Sequence, residues 1–359
     1  MFEGFEAYRI STRDAEIFVR TGGVGPPVLL LHGYPQNHVT WHAVIPRLRE
    51  CFTLVLPDLR GYGDSQGPSP DAQHVHYSKR VMANDVVELM TALGHGRFLL
   101  AGHDRGGRVA YRLALDHPER VSRFAAIDIL PTLDVWEQMD KDAALHTYHW
   151  LFLAQPAPLP ERLIGHDPEF YLRHLLDRWA GRREAFEPAA VAEYIRHFRK
   201  PAVIAAGCED YRAGATIDLA HDRADRYARR RLRCPTLVLW GRRYLSGDGP
   251  ISARCLAHVD GGRAESGPRL RAFCRRRAAR SLRARTAGVL QHVSQIEGQP
   301  YAARGGRTRD GSGRRFRSRS TIAAEFQRWA DSADLSHMWR SRWILCHIVL
   351  TRWSGHPAW

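Results

Sequence analysis

The chain has 359 residues, 44% of them hydrophobic, and a formal net charge of +15. This composition is that of a folded globular core of one large or two small domains, and it excludes collagenous and wholly disordered chains. The six cysteines follow no metal-ligand or disulfide spacing. The start, Met1-Phe2-Glu3-Gly4-Phe5-Glu6, carries acids where a secretory leader has bases, and no apolar run nears the roughly 18 residues of a membrane span, so the cytoplasm is the expected compartment.

The basicity is local. From Ile251 onward there are 21 arginines, no lysine and seven acids, whereas the preceding residues are almost neutral. In chain order, the apolar run 28–31 ends at His32-Gly33-Tyr34-Pro35. The run 52–56 ends at Pro57-Asp58-Leu59-Arg60-Gly61-Tyr62-Gly63-Asp64-Ser65. Residues 80–93 place Val86, Leu89, Met90 and Leu93 at helical spacing. Residues 98–101 lead into Gly102-His103-Asp104-Arg105-Gly106-Gly107, followed by a helix-like stretch, 108–117. Residues 124–127 end at Asp128, and 236–240 end at Gly241. Short, continuously apolar strands bounded by Gly and Pro suit a parallel sheet covered on both faces. Their alternation with helices predicts an α/β fold with a mostly parallel central sheet. In such sheets the active site forms at the carboxyl ends of the strands, where each polar motif falls.

Between Asp128 and Thr236 the strand rhythm stops. The interval is aromatic and helix-like, with Trp136, Tyr148, Trp150, Phe170, Trp179 and Tyr194, and its roughly 100 residues are too many for a loop. It is expected to form a helical cap over the pocket, interrupted at Pro156, Pro158 and Pro160. The expected division is a first core part at 1–132, a cap at 133–230 and a returning core strand at 231–250. Residues 251–359 form an Arg-rich tail whose composition buries too little apolar surface to order well.

The stretch around Asp104 carries the chemistry. Strand, glycine-bounded turn and helix make a nucleophile elbow, here presenting a carboxylate. A serine that displaced a group from a saturated carbon would end as an inert ether. An aspartate ends as an ester, which water cleaves at its carbonyl. The residue type therefore points to displacement at an sp3 carbon, such as a carbon–halogen bond or an epoxide. Arg105 and Arg108 lie one helical turn apart on one face. Turned inward beside Asp104, two buried guanidiniums are costly without an anionic ligand, which favours an acidic substrate.

Together these motifs resemble the α/β-hydrolase superfamily and, within it, the haloacetate (fluoroacetate-type) dehalogenases. The resemblance covers about residues 1–250. His32-Gly33-Tyr34-Pro35, Asp58-x-Arg60-Gly61-x-Gly63-x-Ser65 and the elbow, in that order, carry it for the superfamily. Gly102 to Arg108, Ile127-Asp128-Ile129-Leu130-Pro131-Thr132 and Tyr148-His149-Trp150 carry it for the subfamily. It implies Asp104 as nucleophile and Asp128 as the acid orienting a catalytic histidine, with Asp134 a rival outside the motif. It also implies the backbone N–H groups of Tyr34 and Arg105 as an oxyanion hole, Arg105 and Arg108 as the clamp on a substrate carboxylate, and His149, Trp150 and Tyr211 as halide donors. The implied reaction converts a 2-haloacid to a 2-hydroxyacid and halide through an aspartyl ester, without a cofactor. The expected partner is a small anionic organohalide, with no membrane, no specific nucleic acid, and a homodimer as the protein assembly to test.

The sequence also departs from that pattern. The implied histidine should follow Gly241 in a Gly-His-Phe-like context. His258 comes too early and lacks the context, and His292, His337, His347 and His356 come too late. The break at Ile251 reads as a reading-frame shift, with the C-terminal part of the fold disrupted. An inactive or single-turnover homologue is therefore one alternative. A second is an epoxide hydrolase of the same superfamily, with Tyr148 and Tyr211 as acids. A third is a nucleic-acid-binding protein acting through its arginine tail, although that tail contains no recognisable nucleic-acid module.

Overall fold

The five apolar runs are strands of one sheet, and two further strands extend it. In the computed structural model, which describes residues 1–180 and 185–239, the elements up to the elbow are β1 (Glu6–Ser11), β2 (Glu16–Gly22), β3 (Pro27–Leu31), α1 (Ile45–Leu48), β4 (Thr53–Pro57), α2 (Lys79–Ala92) and β5 (Phe98–His103). Then come α3 (Asp104–Asp116) and β6 (Val121–Ile127). The helices α4 (Thr132–Glu137), α5 (Lys141–His146), α6 (Tyr148–Leu153), α7 (Leu159–His166), α8 (Pro168–Trp179), α9 (Pro188–Phe198), α10 (Pro201–Ala215) and α11 (Ile217–Tyr227) precede β7 (Thr236–Leu239). The Arg-rich tail and its histidines lie outside the described residues.

The strand order is β1-β2-β4-β3-β5-β6-β7. Strands β3 to β7 pair in parallel, while β2 pairs antiparallel with both β1 and β4. The α/β architecture is thus as expected, with a correction at the amino end, where β1 and β2 went unread. The outermost strand, β1, has a largely exposed side-chain pattern, so no apolar run marks it.

Period-two alternation divides the buried side chains between two layers. Leu29, Leu31, Val55, Leu100 and Ala126 pack with Val86, Leu89 and Met90 of α2 and Val109 and Leu113 of α3. Val28, Leu30, Leu54, Leu99, Ala125 and Leu237 point the other way, toward Trp41, Ile45 and Leu48. Fully burying such a side chain stabilises by roughly 1.5–3 kcal/mol, so the sheet register is firmly set. Ser78 caps α2 and Asp167 caps α8 by accepting N–H bonds from Val81 and Phe170, and Pro168, Pro188 and Pro201 open α8, α9 and α10. Those are the positions where a missing N–H costs nothing. Leu31 is level with Gly102, and Ile127 with both His103 and Leu239. The ends of β3, β5, β6 and β7 therefore share one edge of the sheet. Among the described residues no helix is long and apolar enough to cross a membrane.

Candidate active site

Asp104 sits between β5 and α3 with φ +48°, in the left-handed region that L-residues rarely occupy. Helix α3 begins at Asp104 itself rather than at Arg108. Two close approaches make the turn. A Cβ on Gly106 would lie 2.1 Å from the His32 carbonyl oxygen, and one on Gly33 would lie 2.5 Å from Asp104 Cβ. Any larger residue there would push the elbow off the sheet. Asp104 Oδ2 accepts a 2.9 Å bond from the Tyr34 backbone N–H. That donor, expected in the oxyanion hole, therefore already points at the carboxylate.

The neighbouring motifs are scaffold. His32 is fully buried. Its Nδ1 bonds the Gly33 carbonyl at 3.1 Å, and its Nε2 accepts from the Leu59 N–H at 3.0 Å. Burial lowers its pKa to about 4, against the pull of Asp58, so the ring is a neutral strut at physiological pH. Asp58 is buried and accepts from His38 N at 2.7 Å, His38 Nδ1 at 2.8 Å and Asp64 N at 2.9 Å. Burial pushes its pKa up, but the His38 partner and the amide outweigh this and hold it low. Arg60 forms a bidentate pair with Asp85, both bonds 2.6 Å, and Ser65 Oγ bridges Asp58 O and Phe18 N.

Arg105 and Arg108 both turn inward and are 0% and 2% exposed. One inference from the sequence needs correction, because Arg105 does not require a bound anion to be buried. Its Nε and Nη2 donate to Asp210 Oδ1 at 3.1 and 2.5 Å, and Nη2 also donates to the Asp210 carbonyl at 2.6 Å. The guanidinium lies 4.2 Å from the Tyr211 ring centroid and 5.5 Å from that of Trp150. Its Nη1 is buried without a hydrogen-bond partner. Arg108 lies 4.5 Å from the Trp150 centroid and donates to the Leu130 carbonyl. Trp150 thus serves both guanidiniums as a π-face.

The three residues expected to be halide donors meet one another. His149, Trp150 and Tyr211 are all buried, and Tyr211 packs edge-on to both His149 and Trp150, with centroids 5.7 and 5.8 Å apart. Tyr211 Oη and His149 Nδ1 are buried without a hydrogen-bond partner. Burial drives the His149 pKa down to about 3, Asp104 opposing and Arg105 reinforcing. Burial raises that of Tyr211, with Asp104 adding to it. Both side chains therefore lie within electrostatic reach of Asp104. Both side chains are neutral, and each keeps a buried polar atom without a hydrogen-bond partner, a costly state unless a ligand supplies the bond.

Asp128 follows β6 with φ +49°, is buried, and donates its N–H to the Leu239 carbonyl at 2.8 Å. It stands at the strand end next to that of Asp104. Asp134 is instead on α4, 2.7 Å from Arg226. Among the described residues no group of three or more His, Cys, Asp or Glu is placed to hold a metal.

Asp210 is the site residue that sequence reasoning missed. It lies in Cys208-Glu209-Asp210-Tyr211-Arg212, and all five side chains are buried. Five adjacent ionisable residues before the small residues that end α10 were the available signal.

Several known proteins share this arrangement of elements. The alpha/beta hydrolase fold family matches residues 26–250. A fluoroacetate dehalogenase from Burkholderia sp is 47% identical over 242 residues, covering 67% of this chain and 79% of that protein. A soluble epoxide hydrolase from Corynebacterium sp. (strain C12) is 34% identical over 249 residues, covering 68% and 84%. A solved structure from Nostoc sp PCC 7120, of the alpha/beta hydrolase type, superposes with a TM-score of 0.72 at 50% identity, covering 75% of this chain and 92% of that one. With the strand-end aspartate, its elbow and the parallel sheet already in place, the chain belongs to the alpha/beta hydrolase fold family.

Proposed function

We propose that this protein is a hydrolase that displaces halide from small 2-haloacids, with Asp104 as the nucleophile. The observation that carries this reading is that Arg105 Nη1, His149 Nδ1 and Tyr211 Oη are buried without a hydrogen-bond partner, on residues that Asp104 adjoins in sequence or acts on electrostatically. An Asp104 carboxylate oxygen attacks the halogen-bearing carbon. The carbon–halogen bond breaks, and the halide leaves with the electron pair. Arg105 and Arg108 hold the substrate carboxylate, and His149, Trp150 and Tyr211 solvate the departing anion. Water then adds to the ester carbonyl, the oxyanion is met by the N–H groups of Tyr34 and Arg105, and cleavage returns Asp104 and releases a 2-hydroxyacid and a proton. Asp128, buried at the end of β6, takes in this reading the role of the acid that would orient a catalytic histidine.

The epoxide reading makes a different demand on the cap. Ring opening of an epoxide needs acids that deliver a proton to oxygen. Tyr211 feels the Asp104 charge, whereas the Tyr148 hydroxyl interacts with that of Tyr171 and its ring packs against His149 and His174. His149, with a pKa near 3, is uncharged at working pH and cannot substitute as a cationic acid.

The test is incubation with chloroacetate, fluoroacetate and styrene oxide, followed by halide release and the intact mass of the protein. An adduct at Asp104 with chloroacetate supports the reading, and reaction with styrene oxide alone overturns it. The sequence beyond Gly241 offers no histidine in the required context, so the expected yield is one halide per chain. A general base is worth about 10²–10⁴-fold in rate, and sustained turnover would show that one is present.

A further inference from the structure

We propose that Asp210 is a positioning residue that holds Arg105 by one edge and so keeps this arginine from pairing with the Asp104 carboxylate. The proposal rests on the reading of Asp104 as nucleophile.

Arg105 is the residue next to Asp104, and both act electrostatically on His149 and on Tyr211. The guanidinium lies 4.2 Å from the Tyr211 ring centroid, and the preceding residue's carboxylate is close enough to act on that same ring. An arginine with no other acid beside it would swing to that carboxylate. The pair would occupy the oxygen lone pairs needed for attack and would stabilise the anion against reaction.

Asp210 removes that alternative. It is fully buried and takes the Nε and Nη2 edge of Arg105, while its own carbonyl takes a second bond from Nη2. Its Oδ2 accepts from Tyr62 Oη at 2.6 Å, and Lys79 Nζ forms an ion pair with Oδ1, the oxygen that Arg105 also uses. Asp218 in turn balances Lys79, with Oδ1 2.8 Å from its N–H and Oδ2 3.5 Å from Nζ. Only the Nη1 end of Arg105 is left for a ligand. The cap helix α10 therefore supplies both Tyr211, on which the nucleophile acts, and the anchor that directs the clamp.

The substitution D210N preserves shape and removes the charge. Two readouts separate positioning from folding. The first is the acid titration of Asp104, followed by carboxyl ¹³C NMR with D104N for assignment. A newly adjacent guanidinium should move it down by about one pH unit or more. The second is the halide burst with chloroacetate, expected to fall at least tenfold, with partial recovery in D210E. A folded D210N whose Asp104 titration is unchanged overturns the proposal, whether or not chloroacetate reacts. Loss of thermal stability with no movement of that titration also overturns it. If D210N does not fold, K79M/D210N removes the uncompensated lysine, and the same downward movement is expected there. If the wild type releases no halide yet the titration moves, the proposed reaction fails and the placement of Arg105 stands.

Discussion

Two strand-end loops of this molecule carry an aspartate inside a strong motif, and they use it in opposite ways. After β4, Asp58 is closed off by His38 N, His38 Nδ1 and Asp64 N, and serves as a bolt for its loop. After β5, Asp104 takes a bond from Tyr34 N and acts electrostatically on Tyr211 and His149, each of which keeps a buried polar atom without a partner. Motif strength does not distinguish the two. The difference lies in hydrogen-bond saturation, because a satisfied buried carboxylate stabilises a loop, whereas one among unmatched polar groups is prepared for a ligand.

Substitution can break this comparison. The largest effect is expected from D104N, which should reduce halide release to background while leaving the thermal midpoint nearly unchanged. Retained dehalogenation would end the assignment. Next, R108M removes a charge-assisted bond to the substrate carboxylate, worth about 1.5–3 kcal/mol. The chloroacetate concentration for half-maximal burst should rise roughly tenfold to a hundredfold, as that energy converts, with a smaller change in the burst rate at saturation. D58N should do the reverse of D104N. It should lower stability by about 1–3 kcal/mol in denaturant titrations and keep the burst of the folded protein. A folded D58N that released no halide would show that the first loop is chemical after all.

The smallest expected effect is in pH. An unfolded histidine titrates near about 6.5, whereas in the fold His149 lies at about 3 and His32 at about 4. Between those values the unfolded chain binds more protons, so stability falls as pH drops below about 6.5. Each histidine contributes a slope of at most about 1.4 kcal/mol per pH unit. Asp210 is held low by Arg105 and Lys79 against the opposing effect of burial. Its share is present above the unfolded carboxylate pKa of about 3.9 and is lost only as pH falls below that. Chemical denaturation between pH 6.5 and 5 therefore leaves the Asp210 share constant, and comparison of H149N with the parent isolates His149. H149N should flatten the slope by one proton's share, and an unchanged slope would mean that His149 is not held neutral.

The parallel strands were legible because doubly covered strands must be apolar without interruption, as 28–31 and 98–101 are. The edge strand β1 was not, since Glu6-Ala7-Tyr8-Arg9 is mostly exposed and no burial constraint shapes it. Asp104 was legible because an elbow needs glycines at fixed offsets, and Gly102, Gly106 and Gly107 supply them. Asp210 was not, because its partners Arg105, Lys79 and Tyr62 are more than 100 residues away in sequence. Only the folded cap brings a run of polar side chains into a dry interior.

The left-handed backbone at position 104 has a consequence for anyone who wishes to redesign this protein. Asparagine and aspartate tolerate that conformation best among residues with a side chain, whereas branching at Cβ penalises it most. A saturation library at this codon should therefore sort by torsional tolerance before it sorts by polarity or bulk. Asparagine should express as well as the parent, and valine and isoleucine should be the poorest survivors.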